Sequence, residues 1–404
     1  MGKGFVLQRL QKNPAPKAMG VSAAEGERCR KERLHCIGSI KAHHFFPQSA
    51  YFKKEVIILA KIKEFLKRKD IVFSAKRYGI DALGAMAQGL FCSLLVGTIV
   101  KTLGQQVNLP FLVDAGSFAS AMSGAAMAVA IGYALKAPAL VLFSLATVGY
   151  AANGLGGAGG PLAVLLIAII AAEFGKAVSK ETKIDILVTP IVTILVGVGL
   201  AALIAKPIGQ AASAVGDFIK WATVLQPFLM GVIVSVTVGI ALTLPISSAA
   251  ICAALGLTGL AGGAAVAGCC AQMVGFAVMS FRENRWGGLV AQGIGTSMLQ
   301  MPNIVKNPKI WIPPILASAI TGPLATCLFK LEMNGAPVSS GMGTCGFVGQ
   351  IGVITGWADK TVTAMDWIGL VLICFVLPAV LTWLISLPLR KQGWIKENDL
   401  KLEL

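Results

Sequence analysis

From Trp221 to Phe281 the chain runs 61 residues without a Lys, Arg, Asp, Glu or His. A bilayer span takes about 20 apolar residues, so this stretch is too long for one helix and too apolar for a water-soluble fold. It is interrupted at "LTLPISSAA" and at "GLTGLAGGAA", which predicts one full span plus either another span or a re-entrant pair. The rest of the chain agrees: 55% of residues are hydrophobic and 13% charged, against roughly 25% charged in soluble domains. The expected fold class is therefore all-α, a polytopic membrane protein. The net charge of +16 does not contradict this, because residues 1–80 hold 18 Lys/Arg against 6 Asp/Glu, a surplus of 12. The basic character belongs to an N-terminal tail, and nucleic-acid binding is not implied.

Apolar runs place spans at Ile80–Val100, Ala115–Leu135, Pro138–Ala152, Leu162–Val178, Ile186–Ala205, Val224–Leu244, within Ile246–Phe281, at Ile310–Phe329 and at Trp367–Leu389. The expected total is about ten transmembrane helices with two re-entrant or broken hairpin segments. Residues 1–59 read as a basic disordered extension, 60–79 as an interfacial amphipathic helix on an anionic lipid surface, 80–390 as the transmembrane domain and 391–404 as a tail. Lys and Arg set orientation. The N-terminal region, the loop holding Lys176, Lys180 and Lys183, and the end "LRKQGWIKENDLKLEL" are all basic, which puts both termini in the cytoplasm of a multi-pass cell-membrane protein.

The segment "GAPVSSGMGTCGFVGQIGVITGW", Gly335–Trp357, is uncharged over 23 residues, yet seven of them are glycine. Such a segment makes a poor smooth helix, and irregular backbone at membrane depth is stable only where protein buries it or where it lines a wet cavity. Ser280–Pro314 and "NGLGGAGGPL", Asn153–Leu162, share this broken character. Broken segments in both halves of a membrane protein point to a substrate path at mid-depth. Their polar side chains are mostly amides and hydroxyls, suited to uncharged polyols: Gln272, Asn284, Gln300, Asn303, Thr344, Gln350 and Thr355, with Glu283 flanked by Arg282 and Arg285. Trp286, Trp311 and Trp357 are expected nearby to pack on a sugar ring. The competing reading for each polar group is a helix-to-helix hydrogen bond, worth about 0.6 kcal/mol on average.

Other chemistry is bounded more sharply. All three histidines, His35, His43 and His44, lie in the N-terminal region beside Cys29 and Cys36 at spacings that match no standard zinc site. The remaining seven cysteines stand in apolar stretches and read as small buried apolar residues. Glu173 beside Lys176, near the end of a span, reads as a structural or interfacial pair. No Walker sequence and no Rossmann glycine pattern occurs, so ATP-driven transport within this chain is not expected. No cofactor or metal is expected, and no catalytic residue is assignable.

From about Lys61 onward the text resembles the membrane-embedded IIC subunits of the phosphoenolpyruvate-dependent sugar phosphotransferase system, in the branch that includes the perfringolysin regulatory protein. The residues that carry the likeness are "LPISSAAICAALGLTGLAGGAA", "MSFRENRWGGLVAQGIGTSMLQMPNI", "KNPKIWIPPILASAITGP", the Gly335–Trp357 segment and "RKQGWIKENDLKL". The resemblance implies a homodimer in a bacterial cell membrane, a sugar substrate carried by an elevator-like movement, and separate IIA and IIB partner proteins, with IIB phosphorylating the sugar. Acting with them, the chain would serve a protein-phosphohistidine–sugar phosphotransferase. One departure matters: better-known branches carry a threonine-glutamate pair in the second hairpin, whereas here Thr355 is followed by Gly356. Gln350, Glu283 or Glu332 then takes the carboxylate's role, or the branch does not phosphorylate. Two other readings stay open, a membrane-embedded metabolite sensor or regulator and a sugar or ion-coupled carrier independent of phosphoenolpyruvate.

Overall fold

A computed structural model describes residues 60–358 and 361–402. The extension expected over 1–59, with its cysteines and histidines, lies outside the described residues. The chain falls into two units, Met1–Lys63 and Glu64–Leu404. The second is helical throughout, and its described residues contain a single isolated β-bridge, between Gly259 and Met333. The expected amphipathic helix over 60–79 is not continuous: helix runs over 60–68, the chain turns at Asp70 (φ 52°), and helix resumes at 75.

Among the described residues six stretches are long and apolar enough to cross a membrane: Arg77–Gln106, Ala139–Val178, Asp185–Ala222, Gly259–Met279, Pro308–Leu328 and Ala364–Lys391. A seventh exists if Pro110–Ala121 and Ser123–Ala134, bent by 51°, count as one. Ala139–Val178 is itself a hairpin. Gly157 adopts φ 51°, ψ −121°, a conformation open to glycine, and the chain reverses there. Val141, near the start of the first arm, consequently lies against Gly175, near the end of the second.

The first bundle comprises α1 (Arg77–Gln106), α2 (Pro110–Ala121), α3 (Ser123–Ala134), α4 (Ala139–Gly156), α5 (Gly160–Val178) and the first part of α6 (Asp185–Ala222). Small residues set its close crossings: Gly97 of α1 meets Gly116 of α2, and Gly124 of α3 meets Gly149 of α4. One end is tied by charge. Arg77 pairs with Asp70 at 2.7 Å and donates to the carbonyl of Leu135, which also accepts from Lys176. Lys176 is buried, pairs with Glu173 at 3.0 Å and donates to the carbonyl of Asp70, while Tyr78 donates to Glu173. The expected Glu173–Lys176 ion pair thus belongs to a network that joins the first turn of α1 to the ends of α3 and α5.

The second bundle is built around α9 (Gly259–Met279), whose window is 89% buried. Against it lie α7 (Pro227–Thr243), α12 (Pro308–Leu328) and α14 (Ala364–Lys391). Small residues at four-residue spacing make the contact, Gly231, Ser235 and Gly239 on α7 and Ser318, Gly322 and Thr326 on α12. This is the pattern that lets membrane helices approach to backbone contact. A Cβ at Gly268 of α9 would overlap the carbonyl of Ser235, and one at Gly322 would overlap that of Gly231. Ser235 also donates to the Ser318 carbonyl, and Thr326 to that of Pro227, both at 2.8 Å. The far part of α6 reaches this bundle, bringing Gly216 against Ile251 and Leu255 of α8 (Ser248–Leu255).

Two segments approach α9 and turn back. α7 runs beside α9 until Thr243 meets Gln272, after which α8 returns and ends at Gly256. Gly335–Trp357 starts beside the Gly259–Met333 bridge, passes through a tight helical turn at Pro337–Gly341, reverses at Gly343, Gly346 and Phe347 (φ 56°, 50° and 59°), and returns as α13 (Val348–Thr355). Its two arms are joined by Gly335 N–H to Gly352 O at 3.0 Å. The turn packs on Cys269 and Cys270, which at helical rise puts it roughly 15 Å along α9 from Gly259. Five of the seven cysteines in apolar stretches are buried as expected; Cys92 and Cys327 are exposed.

Two outcomes follow. Gly268→Ala, although it raises helix propensity, is expected to destabilise the protein by about 1–3 kcal/mol through overpacking, whereas Gly199→Ala, with nothing within 4 Å of its added Cβ, should not; thermal unfolding in one detergent checks the pair. The hydrogen bond from Arg77 holds the Asp70 carboxyl below its ordinary range. A carboxyl so depressed adds stability above its unfolded pKa and loses it as pH falls through the lower folded value. The melting difference between wild type and Asp70→Asn should therefore be present near neutral pH and close as pH drops below roughly 3.9.

Candidate functional site

Three breaks in the helical backbone converge on the middle of α9. α7 stops at Thr243 because Pro245 follows: Leu244 is driven to an extended conformation (ψ 158°), and Ser247 then caps α8 by accepting from Ala250 N–H. The second break follows α10 (Phe281–Val290), itself kinked at Arg285. A widened turn at Ala291–Gly295 gives way to extended Thr296 (φ −159°, ψ 144°), whose hydroxyl caps a short 3-10 turn at Ser297–Gln300, ahead of α11 (Met301–Lys306). The third is the reversal at Gly343–Phe347. An added Cβ at Gly343 would press on Cys269 and Cys270, so only glycine allows this approach.

Hydrogen bonds tie the breaks together. Thr243 Oγ1 and Ser297 Oγ lie 2.8 Å apart, and Gln272, fully buried on α9, accepts from Thr243 and from Trp311 Nε1 at 2.9 Å. Gln272 Nε2 in turn faces Ser318 Oγ at 3.4 Å. On a neighbouring face of α9, Thr344 at the reversal donates to the carbonyl of Gly293 and approaches Met273 Sδ. Ser248 donates to Gly341 O at 2.8 Å, joining α8 to the Gly335–Trp357 segment. Gln350, 5% exposed, places Nε2 at 3.3 Å from Cys270 Sγ, while its Oε1 is buried and meets no donor among the described residues. A buried acceptor left in that state costs about 1–3 kcal/mol, which marks Gln350 as a functional candidate.

Of the residues expected to form one site, Gln272, Thr344 and Gln350 are gathered here. The others go elsewhere. Asn284, Gln300 and Asn303 hold the C-terminal segment: Asn284 and Gln300 both donate to Leu400 O (2.7 and 3.0 Å), Asn303 donates to Lys401 O (2.9 Å), and Leu402 N–H donates back to Asn284 Oδ1. Gln292, Gln300 and Asn303 form one amide chain, with Gln300 bonded to Gln292 and Asn303 to Gln300, each at 2.9 Å. Glu283 is neither solvated nor in the site; it is 4% exposed at the side chain and paired with Arg390 at 2.9 Å. Thr355 is exposed and donates to its own helix at Ile351 O. Gly356 backs onto the main chain of Asn334, which leaves no room for a carboxylate side chain in the conformation seen. Glu332 is exposed at the same rim and accepts from Asn334. Among the three tryptophans only Trp311 reaches the polar cluster: Trp286 is 71% exposed and Trp357 packs on Trp367.

Thr243, Ser297 and Ser318 were not singled out by sequence reasoning, because a hydroxyl in an apolar helix usually bonds its own backbone. The usable signal lay in position, with Thr243 two residues before Pro245 and Ser297 inside the broken stretch. The groups that meet at mid-α9 are amides, hydroxyls, an indole and thiols, without a charge. They can order the hydroxyls of a neutral polyol and offer no base to remove a proton. Among the described residues no group of three His, Cys, Asp or Glu side chains is placed to hold a metal.

A family model described as "Phosphotransferase system, EIIC" matches residues 80–402. No curated protein and no solved structure matches the chain. A match over most of the chain, on a helical fold with six membrane-length apolar stretches, shows that this protein belongs to the EIIC family of the phosphotransferase system, a membrane subunit of sugar transport.

Proposed function

We propose that the chain is the translocating subunit of a phosphoenolpyruvate-dependent system. It would carry a sugar past the middle of α9 to be phosphorylated by a separate IIB protein, itself charged through IIA. The observation that carries this reading is the convergence of three backbone breaks, around Thr243, Gly293–Ser297 and Gly343, on Cys269–Met273 of the most buried helix. Broken helices at mid-depth are the recurrent way in which transporters build a substrate site. In this reading Gln350 stands in for the carboxylate of better-known branches. Glu283 is paired with Arg390 through one oxygen, its other oxygen buried without a partner among the described residues, and Glu332 is at the rim, whereas the unpartnered Gln350 oxygen lies beside Cys270 at mid-α9, where it can accept from a sugar hydroxyl.

The membrane topology we infer has eight crossings, by α1, α2 with α3, α4, α5, α6, α9, α12 and α14. Two segments, α7–α8 and Gly335–Trp357, enter and leave on one side. That is fewer than the expectation of about ten, and it puts Arg77 and Lys391, the two ends of the membrane region, on one face. That face carries Lys176, Lys180, Lys183, Arg282, Arg285 and Arg390, against Lys101, Lys206, Lys220 and Lys330 towards the other. The surplus favours the cytoplasm for the terminal face, in a bacterial cell membrane. A homodimer and elevator-like motion follow from the family likeness alone. The absence of a charged acceptor at mid-α9 favours one alternative, a carrier that moves free sugar without phosphoenolpyruvate.

Sealed vesicles holding the protein, supplied with a panel of labelled sugars and with or without phosphoenolpyruvate and the soluble phosphotransferase proteins, test the proposal. Sugar phosphate should accumulate only when phosphoenolpyruvate is present, and Gln350→Ala should lower the rate about tenfold or more, a loss of at least 1.4 kcal/mol, with unfolding temperature little changed. Equilibration of free sugar in both conditions would establish the carrier instead. Wild-type rates in Gln350→Ala would remove this residue from the site.

A further inference from the structure

Residues 400–402 are built into the protein. Leu400 is fully buried and Leu402 is 9% exposed, both within the same apolar cluster as Leu83 and Met86 of α1. Between them Lys401 is exposed, and its carbonyl is held by Asn303. Four hydrogen bonds between the side chains of Asn284, Gln300 and Asn303 and the backbone fix residues 400–402, three donated by the side chains and one by Leu402 N–H, so Lys401 stands on an anchored backbone.

Lys401 lines two cavities. One chamber of 340 Å³ is lined by Asp81, Gln88 and Tyr133 among others, and a second of 260 Å³ by Asn307 and Asp399. Asn303, Lys306 and Lys401 line both, so the two lysines belong to the wall the chambers share. Neither lysine forms an ion pair with a described carboxylate, whereas Asp399 Oδ2 already accepts from Asn307 and from Lys396 N–H. Two ammonium groups bordering the same space repel each other, and an anion between them relieves that repulsion. The shared wall therefore offers two cationic donors, and the larger chamber offers a carboxylate and an aromatic ring suited to hydroxylated carbon.

We propose that this cavity binds a phosphomonoester, its phosphate at Lys306 and Lys401, and that its occupant is the phosphorylated sugar released at the terminal face. The occupant's identity rests on the proposed function; the phosphate site does not. Because Lys401 and Leu402 form part of the wall, the site exists only while the terminal segment is clamped, so loss of the clamp at Asn303 weakens binding as well.

Titration calorimetry on the full chain in phosphatidylcholine nanodiscs tests this, with inorganic phosphate, glucose 6-phosphate and glucose as probes. Both phosphate-bearing probes should bind, with glucose unable to displace phosphate. Lys306→Gln with Lys401→Gln should weaken both by about tenfold or more, and Asn303→Ala should do the same by releasing the wall. No heat from either phosphate at millimolar concentration, or unchanged affinity in the double lysine variant, would overturn the site. Loss of phosphate binding when phosphatidic acid is added to the discs would overturn the assigned occupant and give the site to a lipid headgroup. If uptake is absent in wild type while phosphate binding persists, the transport reading fails and the sugar phosphate with it, leaving a phosphate site.

Discussion

Backbone that leaves the helix inside a membrane must find its hydrogen bonds within the protein, and here that requirement is met by the close crossing of α7, α9 and α12. Gly268 lies on the Ser235 carbonyl and Gly322 on that of Gly231, so three helices touch backbone to backbone. The hydrogen bonds across the crossing, Ser235 to Ser318 and Thr326 to Pro227, add only about 0.6 kcal/mol each. Steric fit is the larger effect, because side-chain bulk at Gly268 or Gly322 would separate the helices by the width of a methyl group. With α9 enclosed in this way, Thr243, Ser297 and Gly293 can present broken backbone to one another instead of to lipid.

The same constraint explains why the polar residues divide into two arrays. Those facing mid-α9, Gln272, Thr344 and Gln350, have side chains bonded to groups on other segments, with one acceptor left over on Gln350. Those on the Ser280–Lys306 stretch, Gln292, Gln300 and Asn303, bond in series and end on the carbonyls of the terminal segment. An amide can donate and accept at once, which suits it to a chain that satisfies irregular backbone on both sides. Glu283 and Arg390 close that stretch from the other side, fixing the end of α14 to the start of α10. The terminal segment is thus structural backbone for the half of the protein that holds the breaks.

Much of the helical plan was legible in hydropathy. Leu162–Val178, Val224–Leu244 and Ile310–Phe329 lie within a few residues of α5, α7 and α12, because apolar length is a direct consequence of bilayer thickness. The glycines at 156–160 and 335–356 marked two chain reversals for a local reason, since Gly157, Gly343 and Gly346 take up conformations other residues avoid. Partners distant in sequence were not legible. Nothing in Asn303 foretells Lys401 O, and nothing in Glu283 foretells Arg390; an amide that binds sugar and an amide that binds a carbonyl look alike in sequence. The division of Gln272, Gln300 and Asn303 between two arrays became visible only once the chain was folded.

The central claim is that Gly335–Trp357 enters and leaves on one side and brings its turn to the middle of α9. Single cysteines at Asn334 and Thr361, which flank the segment and are exposed, measure this directly in a cysteine-free background by labelling with a membrane-impermeant maleimide in right-side-out and inverted vesicles. The account predicts that both label from the outside, while a cysteine at Arg285 labels only in inverted vesicles. Labelling of positions 334 and 361 from opposite sides would mean that the segment crosses the membrane, and would contradict the site built on it.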